Sequence, residues 1–113
     1  MACLFCDICD RKVPSDIIYE DSKCLAFRDI DPGAPSHILV IPKKHLASLN
    51  DLTEDDSAIM GHLMICAAKI AATEGLSDSG YRLVVNCNKD GGQTVFHIHI
   101  HILGGRRLHW PPG

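Results

Sequence analysis

Residues 96–103 read FHIHIHIL, in which imidazole and aliphatic side chains alternate from His97 to Ile102. A strand points successive side chains to opposite faces, so His97, His99 and His101 share one face while Ile98, Ile100 and Ile102 share the other. The apolar face has to be covered by packing, which leaves the imidazoles turned toward solvent or a ligand. Imidazole titrates unaided between about pH 5 and 8, so a row of three can accept a proton, donate one, hold a metal or attack phosphorus. A lone strand histidine is commonly a hydrogen-bonded structural residue. Three half-charged rings on one face suit neither a core nor an inert surface.

The rest of the chain supplies the sheet around that strand. Apolar runs at 17–20, 24–29 and 36–41 predict three antiparallel strands, the first two joined by the polar turn 21–23 and the next by DPGAP. Pro42 closes the third because it lacks the amide a continuing ladder needs. Thr53 is placed to cap a long helix, with Glu54, Asp55 and Asp56 in its first turn and apolar residues at Ile59, Met60, Leu63, Met64, Ala67, Ile70 and Ala71. Gly75 ends it, residues 81–86 form a further strand, and NKDGG turns the chain into the histidine strand. With a short N-terminal helix, these elements predict one α+β domain over residues 1–113, a mostly antiparallel five-stranded sheet with the long helix on one face.

At 113 residues the chain is small enough that self-association would add useful buried surface, so a homodimer is expected. The net charge of -3 provides no field for holding polymeric nucleic acid by its phosphates. Apolar runs such as 38–41 and 64–68 fall far short of the roughly 20 residues of a membrane span. The start MACLFCDICDRK lacks the basic and apolar parts of a secretion signal, which points to the cytosol, or the nucleus, where thiols stay reduced. Cys3, Cys6 and Cys9 then read as half of a zinc site whose other ligands lie elsewhere, and Cys24, Cys66 and Cys87 as small core residues.

Upstream of the histidines lies DGGQT, residues 90–94. Two glycines let backbone amides approach an anion, and Gln93 and Thr94 add side-chain donors, although DGG is also an ordinary hairpin turn. A catalytic metal held by His97, His99 and His101 together is disfavoured. Positions i and i+4 of a strand lie about 13 Å apart, and an ion with roughly 2 Å bonds cannot touch both. A nucleotide-binding or scaffold protein with incidental catalysis is a further alternative, set against the intact row of imidazoles.

HxHxH followed by two apolar residues, together with AFRDIDPGAPSHILVIPKKH, GHLM, GYRLVVN, DGGQT and LGGRRLHWPPG, closely resembles the histidine triad nucleotide-binding proteins over nearly the whole chain. The resemblance implies hydrolysis of purine nucleoside phosphoramidates and aminoacyl adenylates. By it, His99 is the nucleophile that becomes transiently nucleotidylated, and His97, His101 and His37 orient it, bind phosphate and relay protons. Asp29 holds the ribose hydroxyls, Phe5, Ile8, Phe27 and Ile30 wall the base, and Asn86, Gly92, Gln93 and Thr94 lie on the phosphate side. Trp110 reaches toward the partner subunit's site. No cofactor is implied for catalysis. Other triad proteins and the related galactose phosphate uridylyltransferases carry a structural zinc on a cysteine pair and two histidines, positions that here are Cys3, Cys6, His45 and His97. A zinc-bound His97 would be structural, because a coordinating nitrogen cannot also shuttle protons.

Overall fold

The computed structural model describes residues 2–113; Met1, the first residue of the expected domain, lies outside them. Five strands, β1 (Ile17–Glu20), β2 (Cys24–Arg28), β3 (Ser36–Pro42), β4 (Tyr81–Val84) and β5 (Ile100–Gly104), form one sheet in the order β1-β2-β3-β5-β4. Every neighbouring pair is antiparallel. Helix α1 (Leu4–Cys9) opens the chain, α2 (Ser57–Thr73) is the long helix, and α3 (Asn88–Gly91) is a single turn. The α+β architecture is the one the apolar periodicities predict.

Local chemistry explains the boundaries. The Asp21 carboxylate accepts from the Lys23 and Cys24 amides at 2.8 and 2.9 Å, which closes the β1–β2 hairpin. Thr53 does not begin the α-helix itself: Glu54–Asp56 form a 3-10 turn, held by the Thr53 amide donating to Asp56 Oδ2 at 3.0 Å, and the α-helix starts at Ser57. At the other end Gly75 takes φ +77°, the Leu76 amide reaches Ala71 O and the Gly75 amide reaches Ala72 O. This paired geometry is the Schellman stop, and it lets the apolar Leu76 side chain fold under the helix.

The sheet is packed on both faces. Even-numbered strand residues Cys24, Ala26, Ile38, Val40, Ile100 and Ile102 meet the stripe Leu63, Cys66, Ala67, Ile70 and Ala71 of α2. The predicted stripe is corrected at one position, since Met64 is half-exposed and Cys66 takes the inward place that the 3.6-residue period requires. Cys24 and Cys66 are buried as expected, whereas Cys87 is only partly so. Odd-numbered residues Leu25, Phe27, Leu39 and Ile41 pack against Phe5 and Ile8 of α1. Shortening Ile102, fully buried between strands and α2, to valine should cost about 0.5–1.5 kcal/mol, read as a lower urea midpoint with unchanged slope.

Three strand predictions were too long, that of β2 by the single residue Asp29. The chain bends at residues 95–97 and the Ile98 amide bonds to Leu46 O at 2.7 Å, so the ladder of β5 begins only at Ile100. The pairing of β4 with β5 ends at Val84 opposite His101, so β4 stops there rather than at residue 86. Among the described residues no helix is long and apolar enough to cross a membrane.

Candidate active site

His97 and His99 therefore precede the strand, yet the alternation carries through the bend and their rings stay on the α1 side of the sheet. That side is not open. Phe5 of α1 lies edge-on to His97 and His99, with ring centroids 5.9 and 5.0 Å away, so His97 is 0% and His99 only 7% exposed. The expectation that all three rings face solvent or a ligand is thus corrected at His97, which is sealed from solvent, while His99, though largely covered by α1, and His101 keep an opening beside that helix.

Hydrogen bonds fix which nitrogen of each ring carries the proton. His99 Nδ1 lies 2.7 Å from the His97 carbonyl, which can only accept, so Nδ1 is protonated and Nε2 keeps its lone pair. The Gly33 amide donates to His37 Nδ1 at 2.9 Å, so the His37 proton sits on Nε2 and is given to His101 Nδ1, also at 2.9 Å. His101 consequently bears its proton on Nε2, a buried atom with no partner among the described residues. His99 and His101 are stacked edge to face at 4.9 Å. The unshared lone pair of His99 and the unused N–H of His101 are thus held side by side.

Burial disfavours the charged forms of His97, His99 and His101. It lowers the pKa of His97 and His99 below the ordinary imidazole value, and burial together with His99 and His37 holds His101 at about 4. Near neutral pH His99 is a free base rather than an imidazolium. Asp29 stands behind the pair, with Oδ2 3.4 Å from His37 Nε2 and Oδ1 accepting from the Asp31 amide at 2.8 Å.

His99 and His101 open onto a cleft of roughly 260 Å³. Its walls include Phe5, Ile8, Phe27, Asp29, Ile30 and Thr94 from the predicted set, with Leu39, Val13 and Val95 added. Phe5 and Phe27 meet edge-on at 5.4 Å, and Ile30 stands at the rim, 96% exposed. Val13 and Val95 carried no motif; their only signal is proximity in sequence to α1 and to the histidines.

The structure does not bring Asn86, Gly92, Gln93 or Trp110 to these walls. The glycine turn is a closed turn of helix rather than an open cradle: the Gly92 amide bonds to Lys89 O and the Gln93 amide to Asn88 O, both at 3.0 Å. Gln93 is buried, accepting from the Asn88 amide and donating to Ala47 O and Val95 O. It braces the loop that carries the histidines and has no donor left for a phosphate. Trp110 is 81% exposed, its ring beneath the Arg82 guanidinium.

The expected metal ligands converge on the far side of His97. Its Nε2 donates to Pro42 O at 2.7 Å, which aims the Nδ1 lone pair at Cys3 Sγ (3.4 Å), Cys6 Sγ (3.5 Å) and His45 Nδ1 (3.2 Å). Cys6 Sγ is also 3.4 Å from His45 Nδ1. A tetrahedral zinc with ordinary bonds would separate nitrogen and sulfur by about 3.5 Å and two nitrogens by about 3.3 Å. The donors fit. Cys9 stays outside the group and packs against the α1 core. Because His97, His99 and His101 direct their Nδ1 atoms to three different partners, they do not converge on one ion.

The HIT domain family model matches residues 10–108. An HIT-like protein of Synechococcus elongatus is 56% identical over 110 residues, covering 97% of this chain and 96% of its own. The crystal structure of a HIT family hydrolase from Legionella pneumophila Philadelphia 1 superposes with a TM-score of 0.98 at 54% identity, over 99% of this chain and 100% of that one. A histidine triad nucleotide-binding protein from Candida albicans superposes with a TM-score of 0.82 at 28% identity, over 97% and 83% of the two chains. With sequence and fold shared almost end to end with such proteins, the chain that carries this histidine cluster belongs to the HIT family.

Proposed function

We propose that the protein is a hydrolase of purine nucleoside 5'-phosphoramidates and aminoacyl adenylates, acting through a nucleotidyl group carried on His99. One observation carries the reading: the buried, neutral His99 presents an unshared Nε2 lone pair at the floor of an apolar cleft, beside the unpartnered Nε2–H of His101. Nucleotide binding and hydrolase activity in the names of the Candida albicans and Legionella pneumophila proteins support it.

A purine fits the slot between Phe5, Ile8, Phe27 and Ile30, with Asp29 in reach of the ribose hydroxyls and Thr94 on the phosphate side. His99 Nε2 attacks the α-phosphorus while its Nδ1–H goes on donating to the His97 carbonyl, so the positive charge forming on the ring is stabilised where it develops. His101 Nε2–H meets the phosphoryl oxygen. The nitrogen whose bond to phosphorus breaks must gain a proton to leave as an amine. An anionic phosphate beside the His37–His101 pair favours uptake of a solvent proton there, and that proton passes to the leaving group. Water then attacks the phosphohistidine, His99 departs neutral, and the proton released by water returns to the pair.

Zinc held by Cys3, Cys6, His45 and His97 would have a structural role, pinning α1 to the loop after β3 and fixing the ring behind His99. The reading includes a homodimer that continues the sheet through the free edge of β4, with the exposed Met64 and Ile65 covered and Trp110 turned toward the partner subunit.

A panel of adenosine and guanosine 5'-phosphoramidates, followed by chromatography of released AMP and GMP, tests the activity. Release of nucleoside monophosphate that persists in excess EDTA is expected. Absence of turnover on every member, with nucleotide still bound, would leave a binding protein instead.

A further inference from the structure

On the opposite face of the sheet a second group of side chains is brought together that the proposed reaction does not use. Asp21 from the β1–β2 turn, Cys24 at the start of β2, and His62 and Cys66 one turn apart on α2 each offer a ligand atom, and all four atoms lie within 4.8 Å of one another. The geometry points to a second metal site, a closed Cys2HisAsp centre for zinc or a similar borderline-soft divalent cation, which clasps α2 to the β1–β2 hairpin.

The hydrogen bonding around Asp21 shows why these atoms suit a cation. Oδ1 accepts the Lys23 and Cys24 amides, which fixes the carboxylate and leaves Oδ2 turned inward. Onto that single oxygen converge Tyr19 OH at 2.9 Å, His62 Nε2 at 2.7 Å, Cys24 Sγ at 3.6 Å and Cys66 Sγ at 3.8 Å. His62 Nε2 is also 3.4 Å from Cys66 Sγ, so one ring proton has two acceptors in reach. In the metal-free form, then, one oxygen collects four donors. Replacing those protons by a dication gives each sulfur, the imidazole and the carboxylate its own bond, with Tyr19 OH remaining as a donor to the ligating carboxylate.

Distances agree with this exchange. A tetrahedral zinc places sulfur about 3.5 Å from nitrogen or oxygen, close to the 3.4, 3.6 and 3.8 Å observed. Of these contacts the His62–Asp21 one has to widen, from its hydrogen-bonded 2.7 Å, and the partly exposed His62 ring can swing outward while the amides hold Asp21 in place. They form the mouth, and the buried thiols of Cys24 and Cys66 form the floor. Two thiolates with an imidazole select zinc over magnesium or calcium. Binding releases the two thiol protons, while the His62 proton moves from Nε2 to Nδ1, leaving Nε2 to coordinate.

Cobalt(II) titration of metal-depleted full-length protein provides the test, read by uptake and by sulfur-to-cobalt charge-transfer absorption. The Cys3→Ala/Cys6→Ala protein should still bind one equivalent with tetrahedral thiolate bands. The Cys24→Ala/Cys66→Ala protein should bind one equivalent fewer than the unsubstituted chain. His62→Gln, a partly exposed change that leaves the core thiols in place, should weaken the same equivalent at least tenfold and covers the case in which the double variant fails to fold. Equal uptake by the unsubstituted and His62→Gln proteins would overturn the site. So would a Cys3→Ala/Cys6→Ala protein that gains no metal, is two hydrogens lighter and yields a peptide joining Cys24 to Cys66, because those thiols would then be an oxidised pair. None of these readings depends on turnover or on the ligands at Cys3 and Cys6.

Discussion

His99→Ala should lower turnover of an adenosine phosphoramidate by about 10⁴-fold or more while AMP affinity changes little. The asymmetry follows from the geometry. The residues proposed to hold base and ribose lie on α1, β2 and the segment after it, and of these Phe5 touches the His99 ring only by its edge, whereas nothing else in the cleft offers an imidazole lone pair for phosphorus. His101 cannot substitute, since its Nδ1 is occupied by His37 and its Nε2 carries a proton. Steady-state kinetics with calorimetric AMP titration separates the two effects. A variant that keeps its turnover would remove the covalent step, and one that loses AMP binding as well would assign His99 to the cleft's architecture.

The second large effect is expected from the Cys3→Ser/Cys6→Ser protein, which should purify without the zinc proposed for that site and unfold at lower temperature. A ligand bound only by the folded state stabilises it by about 4 kcal/mol when present at a thousand times its dissociation constant. The loss should be local as well as global. Cys3 caps α1 through the Cys6 amide and both thiols face His97, so without metal α1 loses its tie to the loop carrying His45. Phe5 then no longer holds its edge against His99. Elemental analysis, thermal unfolding and amide exchange of residues 4–9 read the three consequences. Unchanged melting temperature and exchange in metal-free protein would show that side-chain packing alone holds α1.

Period-two alternation made the faces of the sheet legible in the sequence, and the run from Leu63 to Ala71 made the helix that covers one of them legible too. What alternation cannot report is whether the other face is also covered. Phe5 and Ile8 look like ordinary core residues, and their partner Phe27 lies some twenty positions away, so the roof over His97 and His99 appears only when the chain is folded. The triad itself extends beyond the strand that suggested it: β5 begins at Ile100, because the Ile98 amide answers Leu46 instead of a neighbouring strand. DGGQT misled for a related reason. Glycines that permit an open anion cradle equally permit a tight turn, and here the Lys89 and Asn88 carbonyls take the amides first. The hydrogen-bonded chain from the Gly33 amide through His37 to His101 spans 68 positions between a turn and a strand, so no local pattern reports it, and only the family resemblance tied His37 to the triad.

Covalent catalysis by His99 is most directly tested by rapid mixing of the protein with an excess of adenosine phosphoramidate, quenching in alkaline denaturant, and peptide mass spectrometry. A single adenylyl group on His99, formed faster than AMP appears and lost on further incubation, is the expected result. Turnover with no adduct at any time point, or an adduct on His97, His101 or His37 in its place, would contradict it.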